Sequence, residues 1–291
     1  MSVGMNWECL QCHLRRHVSN ALALGDDKTA TAFARDLMKM YLSVPEDTAP
    51  PQVGPGTNAL YEKYFGITGD RYTREKEESN AFVLSRMEEI RRRVKGAKDP
   101  LLAGLQFAIL GNYIDFSALQ GEVSYEKLDE MLTQAEKMEL DEGAVSRLWK
   151  EFETGKKLLY LTDNAGEIGF DRIFGEVIHE KYPHLEITFC VRGGPAANDA
   201  TREDAALVGI PFPVIDNGNC IAGTVLSELG PEAKAAMDSA DVILSKGQGN
   251  VESLYGCGYN IYYAFLIKCI RFQKLFGKEK LTPMLLPERE Q

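Results

Sequence analysis

The fold is decided by the stretch KKLLYLTDNAGEIGFDRIF (residues 156–174), in which an apolar run ends at an Asp-Asn pair and a helix-like segment follows. Four more short runs of apolar or β-branched residues come after it, separated by helix-like segments. These runs are EITFCVR (186–192), FPVID (212–216), DVILS (241–245) and NIYYAFLI (260–267). Continuous apolar runs that alternate with helices are typical of strands buried on both faces of a mostly parallel sheet. The second half of the chain therefore predicts a doubly wound α/β domain.

The first half of the chain has helical patterns and no convincing strand. Apolar periodicity predicts helices over 8–24, 29–42, 75–95, 100–111 and 125–155. Residues 44–59, VPEDTAPPQVGPGTNA, are rich in Pro and Gly and predict a loop. We therefore expect a helical domain over residues 1–155 and an α/β domain over residues 156–291.

Composition narrows the class of protein. With 291 residues, 44% of them hydrophobic and 26% charged, the chain is long enough for two packed units with a sizeable core. Its formal net charge of -10 disfavours nucleic acid as a partner, because nucleic-acid binding relies on clustered Lys and Arg. The sequence has neither a secretory leader pattern nor a membrane-length apolar run, so we expect a cytoplasmic protein without a membrane partner. Its six cysteines are predicted to be reduced thiols.

Polar residues follow four of the predicted strands. They are Asp163-Asn164 after the first, Asn198-Asp199 after the second, Asp216-Asn217 after the third, and Lys246 with Asn250 after the fourth. One such pair is weak evidence, since Asp and Asn are common turn and helix-cap residues. In a parallel sheet, however, the carboxyl ends of the strands meet at one edge, which is where ligands bind. The sequence therefore predicts a binding site at this edge.

The residue types at this edge suit a metal and a phosphate. Carboxylate and amide oxygens, as in Asp163, Asn164 and Asp199, are hard ligands typical of Mg²⁺ or Mn²⁺. In SKGQGNVES, Gly247 and Gly249 allow backbone N–H groups to approach an anion, and Lys246 supplies a compact positive charge. Metal-assisted phosphoester hydrolysis needs both parts. Glu167 and Asp241 are candidates to orient a water molecule or a ligand, and the general base stays unassigned.

Several motifs together resemble a known family. LTDNAGEIGFD (161–171), GGPAANDAT (193–201) and ADVILSKGQGNVESL (240–254), with KEESN (76–80) and LGNYIDF (110–116) upstream, resemble the DUF89 damage-control phosphatases with the ARMT1-like metal-binding fold. The shorter prokaryotic members, which have an early Cys-x-x-Cys, are the most similar. The resemblance implies a three-layer α/β/α sandwich with a mostly parallel sheet and an N-terminal all-helical domain.

The resemblance also implies an activity and a site. It implies a metal-dependent phosphatase that acts on phosphomonoesters of small metabolites, such as sugar phosphates or damaged phospho-metabolites, with Mg²⁺, Mn²⁺, Co²⁺ or Ni²⁺ as cofactor. Asp163, Asn164 and Asp199 match the metal ligands, and these three together with Lys246 carry the chemistry. The predicted substrate-binding residues are Lys246, Asn198, Gly247, Gly249, Asn250, Glu77 and Asn80.

Other functions stay open beside the phosphatase. The ligands alone fit a non-catalytic, metal-dependent binder of phosphorylated molecules. Relatives have been proposed to methylate protein carboxylates, but the turn TDNAGEIG lacks the glycine-rich form of a nucleotide-cofactor site. An aspartyl-phosphate mechanism with Asp163 as nucleophile needs an acid two residues later, where Ala165 stands.

The segment CLQCH (9–13) has the spacing of a covalent haem attachment site. We reject haem because the segment lies within an amphipathic helix. Cys9, Cys12, His13 and His17 recur at helical spacing and form at most half of a zinc site, since tetrahedral zinc requires further ligands. Packing of the two thiols as small apolar groups is the preferred prediction.

Overall fold

The computed structural model describes residues 4–115 and 123–288 of the chain. Within these ranges the helices are α1 (Trp7–Leu24), α2 (Asp27–Ser43), α3 (Gly54–Phe65), α4 (Thr73–Leu84), α5 (Met87–Gly96), α6 (Pro100–Gly111), α7 (Tyr125–Thr133), α8 (Glu142–Thr154), α9 (Glu167–Lys181), α10 (Arg202–Val208), α11 (Pro231–Ser239), α12 (Gln248–Leu254) and α13 (Ile270–Phe276). None of these described helices is long and apolar enough to cross a membrane.

A single six-stranded sheet lies at the centre of the described structure. Its strands are β1 (Lys157–Leu161), β2 (Glu186–Val191), β3 (Val214–Asp216), β4 (Val242–Lys246), β5 (Ile261–Leu266) and β6 (Pro283–Pro287). Their order is β3-β2-β1-β4-β5-β6, and all neighbours are parallel except β5 and β6. The predicted α/β class is therefore confirmed. Because the strand order reverses between β1 and β4, a crevice is expected at their carboxyl ends.

Alternation along the strands gives the sheet two apolar faces. Leu158 and Tyr160 of β1 belong to a core shared with α6 and α9. Leu159 and Leu161 belong to a second core shared with α11, α12 and α13. Since successive strand side chains point to opposite faces, both faces of a parallel sheet need a helical cover. The predicted three-layer sandwich is therefore confirmed.

The helices before the sheet belong to two different cores. Helices α1, α2 and α3 pack around Phe33, Leu37 and Tyr61 in a small core of their own. Helices α4 to α8 add residues such as Val83 and Leu105 to the core on one face of the sheet. The predicted domain boundary near residue 155 coincides with the change from helices to the sheet. The separate small core, however, contains only α1 to α3. The division into two domains at this boundary stays a prediction.

The prediction of a loop over residues 44–59 was wrong, and one strand was missed. Residues 44–59 are not all loop, because a short 3₁₀ helix covers Pro50–Val53 and α3 begins at Gly54. Pro55 is tolerated there, since the first turn of a helix has no use for its missing N–H group. Strand β6 was not predicted at all. Its prolines at both ends are compatible with an edge strand, where an absent N–H group costs no sheet hydrogen bond.

Candidate metal and phosphate site

Three predicted ligands meet at the crevice between β1 and β4. Asp163 and Asn164 follow β1 after one intervening residue, Thr162, and Asp199 lies in the loop between β2 and α10. The two loops are joined through their backbones, since Ala200 N donates to Asp163 O at 2.7 Å and Asn164 forms an isolated antiparallel bridge with Asp199. The structure thus brings together residues that are 35 positions apart in the sequence.

Asp163 is a buried carboxylate that is short of positive partners. Its Oδ2 accepts from Asn112 Nδ2 at 2.9 Å and from Asn164 Nδ2 at 2.7 Å, and both donors are neutral amides. Burial, and then the nearby carboxylates of Asp199 and Glu167, raise the pKa of Asp163 well above its usual range. This carboxylate would gain from a cation.

Asp199 has a partial counter-charge. Its Oδ2 accepts from Arg192 Nε at 2.6 Å, and both side chains are buried. Burial nevertheless raises the pKa of Asp199 to about 6. Arg192 Nη2 lies 3.9 Å from Asp163 Oδ1, so one guanidinium is shared unequally between two carboxylates. The pair of aspartates therefore has more negative charge than its surroundings neutralise.

The side chains of Asn164 and Asn198 lie beside the two aspartates and add amide oxygens to the crevice. Asn198 Nδ2 donates to Asn164 Oδ1 at 2.8 Å and to Ile114 O at 3.2 Å, which fixes the Asn198 side chain against the site. Asn198 Oδ1 is buried and has no hydrogen-bond partner among the described residues. A buried, unsatisfied oxygen is costly unless a ligand completes it.

These observations fit a hard divalent cation. The donors are all oxygen, two of them are incompletely neutralised carboxylates, and an unsatisfied amide oxygen lies beside them. Over the described residues, no group of three or more His, Cys, Asp or Glu side chains is arranged to hold a metal. A three-ligand set at this crevice would therefore have to include an oxygen other than a carboxylate, such as the amide oxygen of an asparagine.

Lys246 is the predicted residue whose position differs most from expectation. It is the last residue of β4, and its Nζ contacts Glu167 Oε1 at 2.6 Å, Asp171 Oδ1 at 2.8 Å and Ala108 O at 2.8 Å. An ammonium group has three donors, and all three are used. Burial lowers the pKa of Lys246, but Asp171 and Glu167 outweigh it and raise the pKa. Lys246 does not line the cavity, so its predicted contact with a substrate phosphate stays a prediction that this arrangement does not support.

Strand alternation explains the position of Lys246. The strand was predicted to end at Ser245 and extends one residue further. Because side chains alternate, Lys246 shares a face with Val242 and Leu244, which pack under α6 and α9. Its side chain is directed by the sheet rather than by a loop.

We expect Lys246→Met to destabilise the fold by about 3–5 kcal/mol, because the change leaves two buried carboxylates without their shared cation. Urea denaturation followed by circular dichroism measures the loss. The matched control is Lys95→Met, which removes an exposed ion pair with Glu180 and should cost less than about 1 kcal/mol. Equal stability of the two variants would contradict a structural role for Lys246.

Both glycines of the KGQGN segment lie where a side chain would collide. A Cβ atom on Gly247, whose φ is +80°, would lie 2.0 Å from Asp163 Oδ2. A Cβ atom on Gly249 would lie 2.5 Å from Ala222 O, and Gly249 lines the cavity. Asn250 ties the ends of β1 and β4 together, since its Nδ2 donates to Thr162 O at 3.2 Å and to the carbonyl of the last β4 residue at 2.7 Å. Because they have no side chains, Gly247 can lie against the Asp163 carboxylate and Gly249 can lie against the Ala222 carbonyl.

The predicted residues of the helical part do not line the cavity. Asn80 is buried, accepts from Gly166 N at 2.7 Å and donates to Asp204 Oδ1 at 2.8 Å, so it positions the turn after β1. Glu77 is exposed on α4. Asp241 precedes β4 and accepts from the backbone N–H groups of residues 156 and 157, at the opposite end of the sheet. It cannot orient a water molecule at the crevice.

A cavity of about 490 Å³ opens over Asp163, Asn164 and Asp199. This volume lies in the range of small-ligand pockets. Its walls come from the strand ends and from the N-terminal helices. Most of its charged residues were not predicted from the sequence, and they include Arg15, Arg16, Arg71, Asp115, Lys268 and Arg271.

One of these residues, Lys268, could have been predicted from its position in the sequence. Lys268 follows β5 by two residues, so the strand-end rule applied to it as well. Its Nζ contacts Asp115 Oδ2 at 2.7 Å, and Asp115 belongs to the quoted motif LGNYIDF, whose Phe116 lies outside the described residues. The arginines of the helical part could not be identified in this way, because Arg15 and Arg16 lie within α1 and Arg71 lies between α3 and α4, away from any strand end.

The CLQCH segment lies at the cavity wall. Cys9 and Cys12 both line it, and Cys9 Sγ is 3.2 Å from Arg271 Nη1. Burial raises the pKa of Cys9, which keeps the thiol protonated. All six cysteines are free thiols. The prediction of packed apolar thiols thus omitted their contact with the cavity.

The fold and site together define a class. It is a doubly wound α/β protein with an oxygen-rich, anionic crevice at the carboxyl ends of β1, β2 and β4, covered by an N-terminal helical unit. The family model of the damage-control phosphatase ARMT1-like domain matches residues 5–282. The chain therefore belongs to the damage-control phosphatase ARMT1-like family, as the motifs indicated.

Individual relatives agree with this membership. The chain is 32% identical over 277 residues to an uncharacterised protein of Methanocaldococcus jannaschii, covering 92% of this chain and 90% of that one. It is 30% identical over 251 residues to a protein of Archaeoglobus fulgidus named damage-control phosphatase, covering 84% and 85% of the two chains. The crystal structure of a DUF89 family protein from Pyrococcus horikoshii matches with a TM-score of 0.84 at 27% identity, over 98% of this chain and 99% of that one.

Proposed function

We propose that the chain is a metal-dependent phosphatase that hydrolyses phosphomonoesters of small metabolites. One observation carries the proposal: two buried carboxylates, Asp163 and Asp199, share one guanidinium at the edge of a cavity, and the pKa of each is raised. Such a pair is stabilised by a divalent cation, and a divalent cation at a cavity edge suits phosphoryl chemistry. Relatives named damage-control phosphatases support the same activity.

In this proposal Asp163, Asn164 and Asp199 hold the ion, which is Mg²⁺, Mn²⁺, Co²⁺ or Ni²⁺. When bound, the ion would supply Lewis-acid polarisation and charge neutralisation for the phosphoryl oxygens. The fixed positive charge that we predicted at Lys246 comes from Lys268 instead. Lys268 lines the cavity, is oriented by Asp115 at 2.7 Å, and is close enough to lower the pKa of Asp163.

The substrate is a small molecule because the cavity has the volume of a small-ligand pocket and the chain has a net charge of -10. Glu167 is not positioned to act as general base. Its carboxylate is fully buried, accepts from Asn112 Nδ2 and Asn164 Nδ2, and is paired with Lys246. Its role in this proposal is to position the metal-binding turn.

Metal removal tests the proposal. We expect chelation with EDTA to abolish phosphate release from p-nitrophenyl phosphate, and Mg²⁺, Mn²⁺, Co²⁺ or Ni²⁺ to restore it. We also expect the restoring ion to raise the melting temperature, because an ion bound only to the folded state at about 100 times its Kd adds roughly 2.7 kcal/mol of stability.

The two readouts separate the alternatives. An ion that raises the melting temperature without any phosphate release from a panel of phosphomonoesters would favour a non-catalytic metal-dependent binder. Phosphate release that survives complete chelation would contradict metal dependence. Calorimetry with S-adenosylmethionine addresses carboxylate methylation, for which we expect no binding.

A further inference from the structure

The proposed hydrolysis leaves one wall of the cavity unused. This helical wall consists of Arg16, His17, Asn58 and Arg71, all of which line the cavity. Arg16 and His17 belong to α1, Asn58 belongs to α3, and Arg71 lies between α3 and α4. The wall therefore adds two guanidinium groups to a cavity whose proposed metal ligands come from the sheet.

Arg71 is held in place by neutral groups. Its guanidinium lies over the ring of Tyr61 with 3.8 Å between Cζ and the ring centroid, and its Nη2 donates to Asn58 Oδ1 at 2.9 Å. Tyr61 is itself fully buried in the core of α1, α2 and α3. In the described parts of the chain, Arg71 forms no ion pair with a carboxylate. A guanidinium with a fixed plane and remaining donors is preorganised for an anion.

A short chain of contacts joins Arg71 to Arg16. His17 Nδ1 lies 3.1 Å from Tyr61 Oη, and His17 Nε2 lies 3.2 Å from Arg16 Nη2. Burial, together with the nearby arginines, lowers the pKa of His17 to about 2, so the imidazole is neutral. His17 therefore acts as a spacer that sets the relation of two cationic groups and adds no charge of its own.

The carboxylates that line the cavity have other partners. Asp163 and Asp199 form the proposed metal site, Asp115 is paired with Lys268, and Glu8 is paired with Lys274. Glu252 accepts from Gln248 Nε2 at 3.1 Å, and burial raises its pKa to about 7. The cavity thus combines the proposed metal site at the sheet with the guanidinium groups of Arg16 and Arg71 at the helical wall, in a chain whose net charge is -10.

We propose that Arg71, with Arg16, binds a second anionic group of the substrate, either a carboxylate or a second phosphate. The substrates would then be small phosphomonoesters that carry another anion at the end remote from the scissile phosphate. This inference rests on the proposed phosphatase function for the identity of the first anion, and it adds the substrate class.

Calorimetry with phosphonates tests the second subsite without requiring turnover, because a phosphonate has no ester bond to hydrolyse. The probes are alkylphosphonates of graded length, each compared with its ω-carboxylate and its ω-phosphonate counterpart, on the Mg²⁺-loaded protein. We expect at least one dianionic series to bind about tenfold more tightly than the plain alkylphosphonate, because its second anion accepts charge-assisted hydrogen bonds from a guanidinium. The series that gains affinity identifies a carboxylate or a phosphate as the second anion.

Variants assign the effect to the helical wall. Arg71→Met should remove the preference for the second anion, Arg71→Lys should retain part of it, and Arg92→Met, an exposed substitution on α5, should retain all of it. Melting curves check that each variant is folded. Equal affinity for plain and dianionic probes, no binding of any probe, or an unchanged preference in Arg71→Met would overturn the inference. Turnover of p-nitrophenyl phosphate separately decides the phosphatase function, so a tenfold preference without turnover supports the subsite and rejects only the hydrolysis.

Discussion

Replacing Asp163 with Asn should abolish phosphatase turnover and, in the chelated protein, raise the melting temperature. The loss of turnover should be at least about a hundredfold, because the variant loses a charged ligand of the proposed metal site. The gain in stability follows from the environment of the carboxylate, which is buried near Asp199 and Glu167 and bonded to neutral amides. Without the cation, the Asp163 carboxylate is repelled by the carboxylates of Asp199 and Glu167, and this repulsion destabilises the fold. The neutral amide of the variant is not repelled.

The stability difference should depend on pH in a definite direction. Since the pKa of Asp163 is higher in the folded state than its unfolded value near 4, the folded chain retains a proton that the unfolded chain releases. Stability of the chelated wild type therefore falls as the pH rises from about 4 toward the folded pKa. The amide of the Asp163→Asn variant does not titrate, so the advantage of the variant should be small at about pH 5 and larger at about pH 8. Differential scanning calorimetry with EDTA measures it.

Asp199→Asn is the matched variant, with the same loss of turnover and the opposite change in stability. Its carboxylate accepts from the fully buried Arg192 at 2.6 Å, and removing one partner of a buried ion pair costs about 3–5 kcal/mol. Equal destabilisation by both substitutions would contradict the charge distribution described above. Retained turnover in Asp163→Asn would reject the assignment of the metal site.

Much of the site could be predicted because parallel topology determines where strand ends lie. Apolar runs identified β1 to β5, and the rule for ligand sites at strand ends brought Asp163, Asn164 and Asp199 to one crevice from the sequence alone. The rule worked for loop residues, whose side chains are free to converge on the crevice. It required only that the strands be parallel and that the order reverse between β1 and β4.

The rest depended on details finer than topology. A strand that ends one residue later than expected placed Lys246 under α6 and α9, although its neighbour Gly247 lies against the site. The helical wall depends on how α1 and α3 pack around Tyr61, and no local pattern encodes the contact of Arg71 with that ring. The sequence therefore located the crevice where Asp163, Asn164 and Asp199 converge, whereas the groups that we propose to select the substrate required the three-dimensional packing.

Gly247→Ala should reduce turnover by about a hundredfold or more and destabilise the chain. A Cβ atom at this position would lie 2.0 Å from Oδ2 and 2.1 Å from Cγ of Asp163, so the carboxylate must move away from its donors Asn112 and Asn164. The backbone adds a second cost, because φ of +80° with ψ of 158° is a region essentially restricted to glycine, with a penalty of about 1–3 kcal/mol. Turnover and the Mg²⁺-induced rise in melting temperature measure the two effects.

Gly258→Ala separates the backbone cost from the collision. Gly258 also has a positive φ, +84°, but a Cβ atom there has nothing within 4 Å, and the residue lies outside the cavity. Its substitution should cost about 1–3 kcal/mol of stability and leave both turnover and the response to Mg²⁺ unchanged. If Gly247→Ala merely reproduced this behaviour, the close contact between Gly247 and the Asp163 carboxylate would have no part in the chemistry. If only the Gly247 variant lost its response to Mg²⁺, the result would show that Asp163 keeps its position in the crevice because residue 247 has no side chain.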